Sequence, residues 1–142
     1  IVITEKAVLS YNISNGLRNW NFIAEPIFKP IATLNRTYVI LKNNLLICLD
    51  NTTGDVIWSK NIFSNVGEKK VKKKYGITVD FKIVNNEIHL YSNNGYLLSF
   101  NIVDGNLNYS RRINKSGISS KIIFLNNNML FIDSKNKLLK FN

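Results

Sequence analysis

The sequence contains few of the residues on which disulfides, metal sites and catalytic triads depend. Its 142 residues include one cysteine, one histidine, one methionine and two prolines. A single cysteine excludes an internal disulfide, and a single histidine leaves a catalytic triad or a histidine-based metal site without identifiable partners. No apolar run reaches the roughly 18 residues of a transmembrane helix. The glycines are isolated and form no glycine-rich phosphate loop.

Both rare reactive residues are interpreted as packed side chains. Cys48 stands where related segments of the chain have Ser10 and Ser99, which indicates a small buried residue rather than a reactive thiol. His89 alternates with apolar residues on a predicted strand. We therefore predict no catalytic, cofactor-binding or metal-binding residue, no bound cofactor, and no enzymatic activity in this chain.

Acidic residues are also scarce, and the formal net charge is +10. Such a charge is typical of proteins that bind nucleic acids or anionic surfaces. The basic residues are scattered, apart from one run that contains Lys69, Lys70, Lys72, Lys73 and Lys74. Aromatic residues do not alternate with this run, so a nucleic-acid groove is not indicated. The chain is rich in Asn, Ile and Lys, so part of the charge is attributed to the coding bias of an AT-rich genome.

Hydrophobic residues make up 45% of the chain, enough for a folded core, and they recur within a repeated motif. The motif is eleven residues long. It begins with a small residue, an apolar or aromatic residue, and Asp or Asn. Two variable residues follow, then Thr, Asn or Asp, then Gly, and after three more variable residues the motif ends in Trp or Tyr. It occupies residues 48–58, 10–20 and 99–109, and a fourth copy begins at Lys140. The Gly supplies a positive φ, and the Asp or Asn side chain can bond the backbone of the turn.

We expect the ring of each motif to pack against the neighbouring repeat, so that these residues join one repeat to the next. The predicted docking residues are Gly16, Trp20, Asp50, Thr53, Gly54, Trp58, Gly105 and Tyr109.

Tight turns divide the chain into short antiparallel strands, and no amphipathic helix of 11 or more residues is predicted. Asn15-Gly16 predicts a two-residue type I′ hairpin, in which both residues have positive φ. Asn35-Arg36 and Asn85-Asn86 predict further turns. The fold class is therefore all-β, built from four-stranded meanders.

The meanders divide the chain into a partial repeat at 1–25, whole repeats at 26–63 and 77–116, and a truncated repeat at 117–142. Gly54 follows Gly16 by 38 residues, but Gly105 follows Gly54 by 51. The longer spacing between Gly54 and Gly105 predicts a lysine-rich insertion loop at 64–76. A solvated loop and a partner-binding loop are both open interpretations of it.

Four-stranded meanders repeated about every 40 residues indicate the blades of a β-propeller. The chain lacks the Gly-His and Trp-Asp dipeptides of WD40 blades. Residues 48–58 instead resemble the tryptophan-docking motif of the PQQ-like propellers, Ala-x-Asp-x-x-Thr-Gly-x-x-x-Trp. They match it at Asp50, Thr53, Gly54 and Trp58, with Cys48 in place of Ala. The other two copies match more loosely.

This resemblance implies one of two broad classes. Quinoprotein dehydrogenases bind PQQ and calcium and typically use a vicinal cysteine pair, which a chain with one cysteine cannot form. Non-catalytic scaffolds include the BamB-type lipoprotein of the outer-membrane β-barrel assembly machinery. We expect the scaffold class, with protein partners bound by loops that include Lys69–Lys74, at the periplasmic side of a bacterial outer membrane.

Membrane association is expected only through a partner or through a lipid anchor absent from this sequence. A fragment of a PQQ-dependent dehydrogenase is the first alternative, and a luminal stress-sensor domain is the second. Propellers close with at least about four blades. We therefore expect an incomplete ring that belongs to a longer chain, or that two copies complete by self-association.

Overall fold

The computed structural model describes residues 1–64 and 68–141, which form four antiparallel sheets and one short helix. The first sheet contains β1 (Val2–Thr4), β2 (Ala7–Tyr11) and β3 (Arg18–Ile23), and the second contains β4 (Ile31–Ala32), β5 (Arg36–Ile40), β6 (Leu45–Asp50) and β7 (Val56–Asn61). Helix α1 (Glu68–Lys74) follows. The third sheet contains β8 (Thr78–Val84), β9 (Glu87–Ser92), β10 (Tyr96–Asn101) and β11 (Leu107–Arg112), and the fourth contains β12 (Ile123–Leu125), β13 (Asn128–Ile132) and β14 (Leu138–Phe141).

Every sheet is a meander, because each strand pairs with its neighbour in the sequence. The predicted all-β class is confirmed. The chain divides into two compact units, Ile1–Ser64 and Asn65–Asn142. None of the described residues belongs to a helix long and apolar enough to span a membrane.

Each unit has its own apolar core. In the first unit, the core lies between the first and second sheets and is formed by Val8, Trp20, Val39, Leu41, Ile47 and Leu49. In the second unit, the core includes Tyr91, Leu97, Ile118, Ile122 and Phe131. Cys48 is fully buried on β6, as predicted for a small packed residue, and burial raises the pKa of its thiol.

The prediction of a type I′ turn at Asn15-Gly16 was wrong. Only Gly16 has a positive φ (71°), and its amide donates to the carbonyl of Asn12 at 2.9 Å across a longer loop. The side chains of Asn12 and Asn15 accept from backbone amides inside this loop and stabilise it. Pairs of positive φ occur instead at Asn85-Asn86 (48° and 64°) and at 126–127 (48° and 61°).

The prediction of a loop throughout 64–76 was also wrong, because Glu68–Lys74 is helical. Residues 65–67 of that predicted loop lie outside the described residues. Glu and Lys favour helix, and burial of Val71 and Tyr75, four residues apart, fixes one side of α1. Seven residues are too few to show helical periodicity in the sequence.

Candidate protein-interaction surface

The three copies of the repeated motif build the same turn. In each copy the glycine amide donates to the main-chain carbonyl of the Asp or Asn four residues earlier, at 2.9 Å. The Asp50 carboxylate also accepts from the amide of Thr52 at 2.7 Å. Asn12 and Asn101 accept from the equivalent amides at 2.8 and 2.7 Å. The turn therefore depends on a side-chain acceptor at this position, as the sequence indicated.

The residue before each glycine has a second local role. The Thr53 hydroxyl accepts from the amide of Asp55 at 3.2 Å. Asn15 and Asp104 occupy the same position in the other copies and accept from the equivalent amides at 3.0 and 2.9 Å. Thr, Asn and Asp are interchangeable here because each places an oxygen near this amide.

Trp20, on the first sheet, lies against the Gly54 turn of the second sheet. Its indole Nε1 donates to the carbonyl of Asn51 at 2.8 Å. A Cβ at Gly54 would lie 2.7 Å from Cγ and Cδ2 of Trp20, and Gly54 has a φ of 80°. Both the positive φ and the closeness of the Trp20 ring therefore require glycine at this position. The contact between Trp20 and Gly54 joins two sheets of the same unit.

The remaining docking residues are less completely engaged. A Cβ at Gly16 would meet nothing within 4 Å, so only its positive φ favours glycine. Trp58 is half-buried, and its Nε1 has no hydrogen-bond partner among residues 1–64 and 68–141. Tyr109 is 38% exposed, and Gly105 is buried with a φ of 71°. Docking by Trp58, Gly105 and Tyr109 stays a prediction.

Helix α1 is fixed firmly to the third sheet. Val71 and Tyr75 are buried, and the Tyr75 hydroxyl lies 3.3 Å from the Ser110 hydroxyl on β11. The side-chain amide of Asn94 donates to the carbonyls of Lys73 and Lys74 at 3.2 and 3.3 Å. These contacts cap the end of the helix, where carbonyls have no partner within the helix.

The lysines of α1 that are described face away from the core. Lys70, Lys73 and Lys74 are exposed, whereas the side chains of Lys69 and Lys72 lie outside the described part of the structure. The Lys74 ammonium lies 4.8 Å from the Tyr75 ring centroid and 5.7 Å from that of Tyr96. Its hydrogen bond with Tyr75 raises the pKa of Lys74, so this lysine remains charged at neutral pH.

Positive charge continues from α1 onto β11, because the Arg112 guanidinium also lies 5.7 Å from the Tyr96 ring. We call Lys70, Lys73, Lys74, Tyr96 and Arg112 the basic surface. Sequence reasoning identified the lysines, but it missed Tyr96 and Arg112. Those two residues face each other as a cross-strand pair of β10 and β11, a register that was not predicted.

His89 lies in a polar network that does not have the geometry of a catalytic triad. Its Nε2 lies 3.0 Å from a carboxylate oxygen of Glu87, and the Ser99 hydroxyl donates to that same oxygen at 2.7 Å. Ser99 is therefore bonded to the carboxylate rather than to the imidazole. The hydrogen bond with His89, followed by that from Ser99, lowers the pKa of Glu87. The network ties β9 to β10.

Asp80 was not identified from the sequence, although it is a lone acidic residue within an apolar strand. Only 5% of it is exposed. Its carboxylate accepts from the amide of Ile122 at 2.9 Å and pairs with the Lys82 ammonium at 3.1 Å. The hydrogen bond between Asp80 and Ile122 joins the third sheet to the segment that leads to the fourth sheet. Within the described ranges, no three His, Cys, Asp or Glu residues lie close enough to hold a metal ion.

Solved structures similar to this chain share little sequence identity with it, and they include a β-propeller domain. The Swd1 β-propeller domain of Myceliophteria thermophila aligns with a TM-score of 0.70 and 14% identity, over 96% of this chain and 46% of that one. BamB from Moraxella catarrhalis aligns with a TM-score of 0.63 and 16% identity, over 97% and 43%. The computationally designed protein Ika4 aligns with a TM-score of 0.68 and 11% identity, over 96% and 79%.

The chain thus has a β-propeller fold, and its sheets match propeller blades. It spans less than half the length of BamB and of the Swd1 domain. No protein-family model and no curated protein sequence matches the chain.

Proposed function

We propose that this protein is a non-catalytic β-propeller scaffold for protein–protein contacts. The basic surface is the observation that carries the proposal. Its lysines lie on a helix that is capped by Asn94 and anchored by Val71 and Tyr75, so the charges are presented in a fixed arrangement. A pre-organised charged surface loses less conformational entropy when a partner binds than a mobile loop does.

The basic surface suits a partner with an acidic face. Residues 1–64 and 68–141 contain three ion pairs, and none of them involves Lys70, Lys73, Lys74 or Arg112. Among the side chains that the structure describes, these cations therefore have no acidic partner to neutralise them. Complementary charge on a partner would accelerate association and favour one orientation.

The more specific form of the proposal is a role like that of BamB, in the assembly of outer-membrane proteins at the periplasmic side of the membrane. It is supported by the docking motif at residues 48–58 and by the Trp20–Gly54 contact, which uses the motif to join sheets. A fold shared with BamB is consistent with this role. Attachment to a membrane would then come through the partner or a lipid anchor.

Site-specific photo-crosslinking in the native cell tests this function. A photoreactive residue replaces Lys70, and the same residue at the exposed Lys29 serves as the control. We expect a discrete adduct from position 70 alone, lost when Lys73→Glu is added, and identified by mass spectrometry as a protein of the outer-membrane assembly machinery. An adduct with a partner from another compartment would refute the BamB-like role. Equal adducts from both positions would refute the basic surface as the contact site.

A titration with PQQ and calcium tests whether the protein is non-catalytic. Trp20 is bonded to Asn51 and packed on Gly54, so it is not free to stack on a quinone. We expect no saturable change in tryptophan fluorescence on addition of PQQ with excess calcium. Stoichiometric binding would overturn the scaffold proposal in favour of a quinoprotein dehydrogenase.

A further inference from the structure

A groove of about 510 Å³ opens in the second unit, beside the third and fourth sheets. Its apolar lining comes from both sheets and includes Leu97, Phe124, Met129 and Phe141. The Phe124 side chain is 44% exposed, which is high for a ring beside other apolar side chains. The groove is large enough to accept one or two side chains of a partner.

The charged groups that line this groove are all basic. Arg111 and Arg112 contribute to the lining, and no Asp or Glu is among the described residues that form it. The Arg111 guanidinium lies 5.7 Å from the Tyr109 ring centroid. Neither arginine takes part in an ion pair within residues 1–64 and 68–141. The complementary ligand is therefore apolar in part and negatively charged.

Strand β11 contributes residues both to the groove and to the basic surface. This strand is at the edge of the third sheet, and neighbouring residues on a strand point to opposite faces. The Arg111 side chain therefore lies on one face of β11. The Arg112 side chain lies on the other face, beside the Tyr96 ring that the Lys74 ammonium also approaches. An extended chain that crosses the edge at β11 would meet cations on both sides of it.

We propose that this groove binds an acidic peptide segment of a protein partner, and that the segment inserts one aromatic or aliphatic side chain. The apolar side chain lies against Phe124, Met129 and Phe141, while neighbouring carboxylates pair with Arg111 and with the basic surface. The exposed amides of Asn85 and Asn127 line the same groove and can bond the peptide backbone. The inference rests on the proposed scaffold function and names the chemistry of the partner.

Fluorescence anisotropy with defined peptides tests the inference. The first probe is a short labelled peptide with one Phe between acidic residues. A second probe replaces the Phe by Ser, and a third replaces the acidic residues by Lys. We expect saturable binding of the first probe only. Arg111→Glu should weaken the binding of the first probe by about tenfold, because an attractive, partly exposed charge pair is replaced by a repulsive one. Arg18→Glu is the matched control, since Arg18 is an exposed arginine on an edge strand of the first unit.

Phe124→Ser separates the apolar contact from the charge. It should lower the affinity for the Phe probe about fivefold and leave the anisotropy of the Ser probe unchanged, because only the first probe carries a ring. Phe124 is partly exposed, so this variant is expected to fold.

Three outcomes would overturn the inference. One is equal affinity for the Phe and Ser probes, and another is an equal loss of affinity in the Arg111 and Arg18 variants. The third is displacement of the peptide by dodecanoate at stoichiometric concentration, which would assign the groove to a small anionic amphiphile. If the probes fail while crosslinking at position 70 still captures an assembly protein, only this inference is refuted and the scaffold function stands.

Discussion

Replacing Gly54 by alanine should destabilise the first unit through two separate effects. The φ of 80° at Gly54 costs an alanine about 1–2 kcal/mol. The new Cβ would also lie 2.7 Å from two ring atoms of Trp20, so the ring must move about 0.7 Å to reach ordinary contact at 3.4 Å. That movement would stretch the 2.8 Å hydrogen bond from Nε1 to the Asn51 carbonyl towards the limit of hydrogen bonding.

The total cost follows from these two effects. Loss of a partly buried hydrogen bond costs about 0.5–1.5 kcal/mol, and loosened packing of the indole adds to it. Gly54→Ala should therefore lower the free energy of unfolding by about 2–4 kcal/mol. Gly16→Ala is a matched control, because Gly16 has a φ of 71° but nothing within 4 Å of its Cβ position. It should cost only the backbone strain, about 1–2 kcal/mol.

Urea unfolding followed by tryptophan fluorescence measures both costs, and the effect of Gly→Ala on the unfolded chain cancels between the variants. Hydrogen exchange of the indole N–H, measured by NMR, reports the Trp20 bond directly. We expect lost protection of that proton in Gly54→Ala and unchanged protection in Gly16→Ala. Equal destabilisation by the two substitutions, with the indole still protected, would refute the role of Trp20 as a ring packed on Gly54.

Three further predictions concern other contacts. Trp20→Phe keeps a ring but removes the N–H donor, so the free energy of unfolding of the first unit in urea should fall by about 1 kcal/mol. An unchanged free energy of unfolding would show that the hydrogen bond does not stabilise this unit. Asp80→Ala leaves the buried Ile122 amide without its acceptor, which should cost about 1–3 kcal/mol and speed hydrogen exchange at that amide more than at amides of the fourth sheet. The hydrogen bonds from His89 and Ser99 lower the pKa of Glu87 below its unfolded value, near 4.3. This contribution to stability is therefore complete above about pH 4.3 and is lost as the pH falls through the folded pKa. Thermal melts of Glu87→Gln should show a shallower loss of stability in acid than the native chain, and parallel profiles would contradict this assignment.

Much of the fold could be predicted because its signals are local. The Asp50 and Thr53 side chains accept from amides within three residues of themselves, and the Gly54 amide donates to a carbonyl four residues earlier. The spacing of these residues along the sequence therefore predicts the turn. The burial of Cys48 was also predicted, from its alignment with two serines in the repeat. The type of turn at Asn15-Gly16 was not, because two asparagine side chains stabilise a longer loop that the dipeptide rule does not consider.

The candidate site was only partly predictable. The lysine run was visible in the sequence, but its helical state was not, since seven residues form no stable helix alone in water. Burial of Val71 and Tyr75, the contact of Tyr75 with Ser110 on the third sheet and capping by Asn94 provide the missing stability. These partners are up to 35 residues apart, and composition does not reveal them.

The sequence by itself determined the all-β class, the residues that build the repeated turns and the position of the basic run. Each follows from interactions within about five residues or from a repeated pattern of residue types. Only the tertiary structure decided that Trp20 lies on Gly54, that Asp80 bonds Ile122, and that Arg111 lines a groove with Phe124. Those pairs are distant in sequence, and they meet because whole sheets bury their apolar faces against each other, an outcome that depends on strand register and on the way sheets stack.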